Sequence, residues 1–196
     1  MELAAVIPNR FEINSASWEE LEPYYDALVI GRMDPAYMDA GHQKRMSARQ
    51  RYLHYFHLTH SGKRPLSFNW CGFLFSYLWL AYRKMPGLAC LFLLFWYLSE
   101  TFVVAATKGM GASRLLYWLV LLAYCCLAGL LADFLYFRAC RSRMQGAMPL
   151  PHDQAISALK NRGGTSKGAM WVLLIGTILF KPVADTLIQS AVKILF

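Results

Sequence analysis

From Leu66 to Tyr82 the chain carries no charge and is crowded with aromatic rings, and the run stops at Arg83-Lys84-Met85-Pro86-Gly87. Residues of that kind have few places to go in water. At about 1.5 Å per helical residue the run is just short of a hydrocarbon layer of ~30 Å, so a re-entrant or interfacial helix is expected over 66–84. Phe68, Trp70, Phe73, Tyr77, Trp79 and Tyr82 are the rings that settle where lipid meets water. Arg83 and Lys84 mark a cytoplasmic edge, and Pro86-Gly87 lets the chain turn before a longer apolar segment.

Three further apolar runs, 88–106, 114–137 and 169–193, are long enough to be transmembrane helices. Gly109 and Gly111 make the first connection tight, so the first two spans form an antiparallel hairpin. Residues 138–168 read as a cytoplasmic loop with Pro149, Pro151, a short helix from His152 or Asp153 to Asn161, and Gly163-Gly164 to stop it. Lys181-Pro182 and Asp185 interrupt the last run, which predicts a kinked span. The fold class is an all-α integral membrane protein: a cytoplasmic N-terminal helical region over 1–64, then a membrane domain over 65–196. A chain of 196 residues has room for that and little more.

The net charge of +8 matters less than where the charges lie. Arg10, Arg32, Lys44, Arg45, Arg49, Arg51, Lys63, Arg64, Arg83 and Lys84 precede the first full span, and Arg138, Arg141, Arg143, Lys160, Arg162 and Lys167 separate the second from the third. The hairpin turn has Lys108 and Arg114. By the positive-inside rule the two basic regions are cytoplasmic, where they face anionic lipid headgroups rather than nucleic acid. Met1 to Arg10 has neither the basic start nor the apolar core of a secretory signal, so the N-terminus is expected in the cytoplasm.

Within the first third, Ser17-Trp18-Glu19-Glu20 has the form of a capping box, followed at helical spacing by Leu21, Tyr24, Tyr25 and Leu28. Pro23 suits only a first turn, which would move the helix start toward Glu22, and Gly31 ends it. Met1 to Asn14 has no clear period. Asp34-Pro35 opens a second helix over 36–60, weak at Gly41, with Met46, Tyr52, Leu53 and Phe56 opposite Lys44, Arg45, Arg49 and Arg51. That basic amphipathic helix is expected to pack on the first. His54, His57 and His60 spread too widely for a metal, and no Cys or carboxylate stands at ligand spacing. No His falls in a span, so haem has no axial pair and no cofactor is expected. Cys71, Cys90, Cys125, Cys126 and Cys140 lack Cys-x-x-Cys spacing and read as small buried hydrophobes.

Phe68-Asn69-Trp70, then Phe73, Trp79 and Tyr82-Arg83-Lys84-Met85, resemble the hallmark of the bacterial domain of unknown function family 2628, small uncharacterised integral membrane proteins. Phe134-Leu135-Tyr136 with Arg138, Arg141 and Arg143, and the run Arg162 to Ser166, fit the same pattern, so the resemblance covers roughly 67–166. Ser76-Tyr77 stands where members usually have Gly-Pro or a similar small pair. The resemblance implies a multi-pass protein of the bacterial inner membrane and carries no catalytic residue.

Ionisable groups at bilayer depth are costly and need partners. Counting from the cytoplasmic edges, Glu100 and Lys181 reach similar depths and Asp185 lies one turn beyond Lys181, so the three are expected to form an intramembrane polar cluster. Asp133 is placed near the cytoplasmic interface with Arg83, Lys84 or Arg138. Arg162, Gly163, Gly164 and Lys167 at a helix start could take a lipid phosphate through free N–H groups. No nucleophile motif or phosphate-binding loop appears, so an enzyme is not expected. The reading is a membrane anchor or accessory subunit that holds a protein partner at the cytoplasmic face. The alternative is a small oligomeric ion or solute transporter or channel using Glu100, Lys181 and Asp185.

Overall fold

A computed structural model of the chain describes residues 16–30, 42–63, 67–107 and 113–195. Among these the chain is all-helical: α1 Trp18–Ile30, α2 His42–His60, α3 Trp70–Tyr82, α4 Pro86–Thr107, α5 Ser113–Ala147, α6 His152–Arg162 and α7 Lys167–Leu195. The features expected at Met1 to Asn14, Gly31, Asp34-Pro35, Gly41, Gly109 and Gly111 lie outside the described residues. Three helical stretches, Pro86–Val103, Leu115–Ala147 and His152–Leu187, are long and apolar enough to cross a membrane. The last takes in α6 and most of α7, and its apolar part is α7.

The chain divides into two compact units: Met1–Ser67 with Asp133–Thr165, and Phe68–Ala132 with Ser166–Phe196. The boundary inside α5 falls between Ala132 and Asp133. Sequence alone ends the second span at 137 and makes 138–168 a loop. In the structure α5 continues to Ala147, and 133–165 cluster with the N-terminal helices. The reason is a stripe of apolar side chains on this part of α5, Tyr136, Phe137, Cys140 and Met144, all buried.

The first unit is built around packed aromatic rings. Tyr25 of α1 lies 5.3 Å from Phe56 of α2 and 5.9 Å from Phe137 of α5, and Phe56 touches Tyr136 and Phe137. Tyr25 and Phe56 are fully buried, and burial pushes the Tyr25 phenol well above its usual range. Helix α1 starts at Trp18, as the capping residues indicate, so Pro23 sits inside the helix and not in its first turn. Arg49 of α2 pairs with Asp26 of α1 from the same helix face as the buried Leu53 and Phe56, four and seven residues on, so it lies at the edge of the α1 contact and not on the opposite face expected from the sequence. Helix α6 closes the unit against α1. There Gly163 meets the backbone of Leu28 so closely that an added Cβ would lie 2.4 Å from the Leu28 carbonyl oxygen.

In the second unit α3 packs against α4 and α7, and α4 against α7. Gly72 lets α3 approach α5, since a Cβ there would come within 2.6 Å of Ala132 Cβ. Helix α3 is interrupted at Ser76 (φ 42°, ψ −115°), where no Pro or Gly announces a bend. The strained residue is buried, and its hydroxyl donates to Tyr124 Oη at 2.7 Å, which in turn donates to the Phe92 carbonyl at 3.1 Å. The helix ends in a Schellman turn: Met85 N–H donates to Leu80 O and Lys84 N–H to Ala81 O, with Lys84 left-handed at φ 57°. Pro86 then starts α4.

The five cysteines differ from the buried set expected. Cys140 is buried, Cys125 and Cys126 are half-buried, and Cys71 and Cys90 are exposed.

Candidate functional site

The second unit brings Glu100, Lys181 and Asp185 together. Glu100 projects from α4, and Lys181 and Asp185 stand one turn apart on α7. Lys181 Nζ lies 3.4 Å from Glu100 Oε2 and 3.3 Å from Asp185 Oδ1. The Glu100 side chain is 13% exposed while those of Lys181 and Asp185 are 47% and 43% exposed, so Glu100 is the enclosed end of the cluster. From α5 the Tyr117 hydroxyl approaches Glu100 Oε1 at 3.5 Å. Three apolar helices therefore converge on one carboxylate. When all three groups are ionised the set carries one more negative charge than positive, which suits it to lock helices together or to take up a proton or cation.

Tyr117 is a partner of Glu100 that only the packing of α4 on α5 reveals. Trp96 against Tyr117 and Phe92 against Tyr124 show the antiparallel register of α4 and α5, and that register sets Tyr117 opposite Glu100. About four turns before Lys181, Ser166 holds the start of α7 in place. Its N–H donates to Tyr82 O at 2.7 Å, and its Oγ accepts from Ala169 N.

Asp133 lies in the first unit and is buried. Ser67 Oγ donates to its Oδ2 at 2.5 Å, and the half-exposed Arg51 lies 3.7 Å from Oδ1. Arg51 is a cation the sequence did not single out, because it sits 82 positions away on α2. Of the partners expected for Asp133, Arg138 stands over the Phe134 ring, Arg83 over the Trp79 ring, and Lys84 is the left-handed residue of the α3 turn.

The run at the end of α6 behaves differently from a phosphate cradle. Gly163 N–H donates to Leu159 O and Gly164 N–H to Leu28 O, so both amides are engaged inside the unit. Arg162 and Lys167 are exposed, leaving side-chain charge as what the run offers an anion. His57 lies against the Trp18 ring and His60 Nε2 donates to Ala16 O. Among the described residues no three His, Cys, Asp or Glu side chains group as a metal site. Compared with known protein families, with curated proteins and with solved structures, the chain shows no match.

Proposed function

We propose that the chain is a non-enzymatic anchor or accessory subunit of a bacterial inner membrane. Its second unit lies in the bilayer, and its first unit holds a protein partner at the cytoplasmic face. One observation carries the reading: a ring-packed helical unit of the kind that folds in water shares the continuous helix α5 with a unit whose large apolar side chains are uncovered. The stretch of α5 from Ser113 to Ala132 is about 30 Å long, enough to cross.

Orientation follows the basic residues. Lys63, Arg83, Lys84, Arg138, Arg141 and Arg143 cluster at one end of the apolar helices in sequence, against Lys108 and Arg114 at the other. Helix α3, at about 20 Å, is too short to cross and is placed as the re-entrant or interfacial element. The resemblance to a bacterial membrane family points to the same location.

Capture of the full chain in mild detergent, after crosslinking in cells, should return a cytoplasmic protein joined to exposed positions of α1, α2 and α6 such as Glu22, His54 and Lys160. Recovery of the chain with no protein partner would overturn the anchor reading. Labelling of Lys84 or His152 by a reagent confined to the outside would overturn the orientation.

The ionic cluster favours a second reading, an oligomeric ion or solute transporter. It expects flux in liposomes that Glu100→Gln abolishes, and flux indifferent to that change would remove it.

A further inference from the structure

The first unit contains a cleft of about 700 Å³ between the end of α2 and the exposed side of α5. Its wall is one stripe of α5: Phe134, Arg138, Arg141, Ser142 and Gln145, spaced at four, three, one and three residues, with Thr59 of α2 opposite. Arg138 lies 5.9 Å above the Phe134 ring, which holds its guanidinium over the cleft. Among the described lining residues there is no carboxylate. Thr59 already donates its hydroxyl proton to Tyr55 O, so it offers the cleft only lone pairs. Two guanidiniums would hold an anion, Ser142 and Gln145 add donors, and Thr59 would accept from a hydroxyl. Planar guanidinium forks match phosphate oxygens in pairs.

We propose that this cleft binds a phosphate ester that also carries hydroxyl groups, its phosphate between Arg138 and Arg141. The same chemistry comes from an anionic glycerophospholipid headgroup or from a soluble sugar or glycerol phosphate. A lipid source rests on the bilayer placement of α5 proposed above. It is favoured by the helix itself, whose same face carries the exposed Leu127 and Leu130 within two turns before Phe134. The site differs from the Arg162 to Lys167 run, whose residues do not line the cleft.

The test uses the full chain in nanodiscs made of phosphatidylglycerol and phosphatidylcholine, released into native mass spectrometry to count retained lipids. Wild type should retain phosphatidylglycerol over phosphatidylcholine. Arg138→Gln/Arg141→Gln should cut that preference about tenfold or more, as expected for losing a pair of charge-assisted contacts. Arg162→Gln/Lys167→Gln, with the same loss of charge, should leave it unchanged. A second variant, Ser142→Leu, fills the cleft without altering charge and should also lower retention. Circular dichroism of each variant checks that the fold persists. If glycerol 3-phosphate binds in an Arg138- and Arg141-dependent way while neither lipid is preferred, the site stands with a soluble ligand. Equal losses from both double variants would reduce the effect to bulk charge and overturn the proposal. Unchanged retention and unchanged glycerol 3-phosphate binding in Arg138→Gln/Arg141→Gln would overturn it as well. Partner capture by these variants reads the anchor role separately, so either idea can fail without the other.

Discussion

The largest fully buried side chains, Tyr25, Tyr136, Phe56, Leu21, Leu28 and Met144, all belong to the unit of α1, α2, α6 and the end of α5. The most exposed large apolar ones, Val172, Phe102, Leu115, Leu179 and Phe180, all belong to the other. Both units are helical and both are rich in rings, yet one hides them and the other displays them. In the second unit the buried positions among the described residues divide between small or polar ones, such as Ala89, Ala128, Ala132, Asn69 and Ser76, and the larger Trp79, Leu80, Met85, Val103 and Tyr124. Where lipid replaces water there is little to gain from hiding a leucine, and helices associate through close packing and hydrogen bonds instead. With the second unit in lipid and the first in water, as proposed, the same residue types have opposite energetic meaning on the two sides of Ala132.

The sharpest way to break that contrast is a pair of truncations. Phe56→Ala removes a fully buried ring and should cost about 3–5 kcal/mol, by cavity formation and lost transfer energy. Phe102→Ala removes a ring that is 69% exposed and should change stability by no more than about 0.5 kcal/mol in detergent. Thermal unfolding by circular dichroism, with limited proteolysis to see which unit opens, reads both. Equal losses would mean that Phe102 is covered by something in the folded protein and that the two units follow one rule.

Glycines give a second pair with opposite signs. Gly163→Ala drives a Cβ into the Leu28 backbone, which has no flexible end to yield, and should destabilise the first unit by about 1–3 kcal/mol. Gly176→Ala on α7 meets nothing within 4 Å and should stabilise that helix, by up to about 1 kcal/mol from propensity alone. A loss at Gly176 would show a neighbour packed on that face of α7.

Much of this was readable because apolar helices announce themselves by length and by what interrupts them. The runs behind α4, α5 and α7, the capping residues of α1 and the one-turn spacing of Lys181 and Asp185 are local, so a linear sequence displays them. The ring cluster is not local: Tyr25, Phe56 and Phe137 come from three separate helices, and no spacing rule connects them. Arg138, Arg141 and Arg143 looked like the end of a span. A helix need not stop where its hydrophobicity does, and α5 carries on for Tyr136, Cys140 and Met144 to reach the core. The break at Ser76 was hidden for a different reason. It is held by the buried Tyr124 hydroxyl from another helix and not by a residue that bends chains by itself.

The cluster in the second unit allows a smaller, more specific test of how that unit coheres. Lys181→Met should weaken it most, because it leaves the enclosed Glu100 and its neighbour Asp185 without their cation, and Glu100→Gln less, because Lys181 keeps Asp185 at 3.3 Å; the double variant should recover part of the Lys181→Met loss. A coupling of about 1 kcal/mol is expected in a double-mutant cycle followed by unfolding in bicelles. Strict additivity would dissolve the pair as a structural element and leave the second unit held by packing alone.

The smallest effect belongs to the first unit and to pH. Glu19 at the start of α1 is exposed, and its carboxyl titrates below its ordinary value of 4.5, first through a hydrogen bond from its own backbone N–H and then through the Ser17 hydroxyl. A carboxyl with a folded pKa below its unfolded one adds stability that is fully present above 4.5 and is lost as pH falls through the lower folded value. Glu19→Gln should therefore lower the melting temperature slightly at pH 7 and make no difference well below pH 4.5, so the two melting curves converge on acidification. A constant gap across that range would assign the effect of Glu19 to packing or to the helix dipole of a neutral side chain, and would take hydrogen bonding to the carboxylate out of the account of how α1 begins.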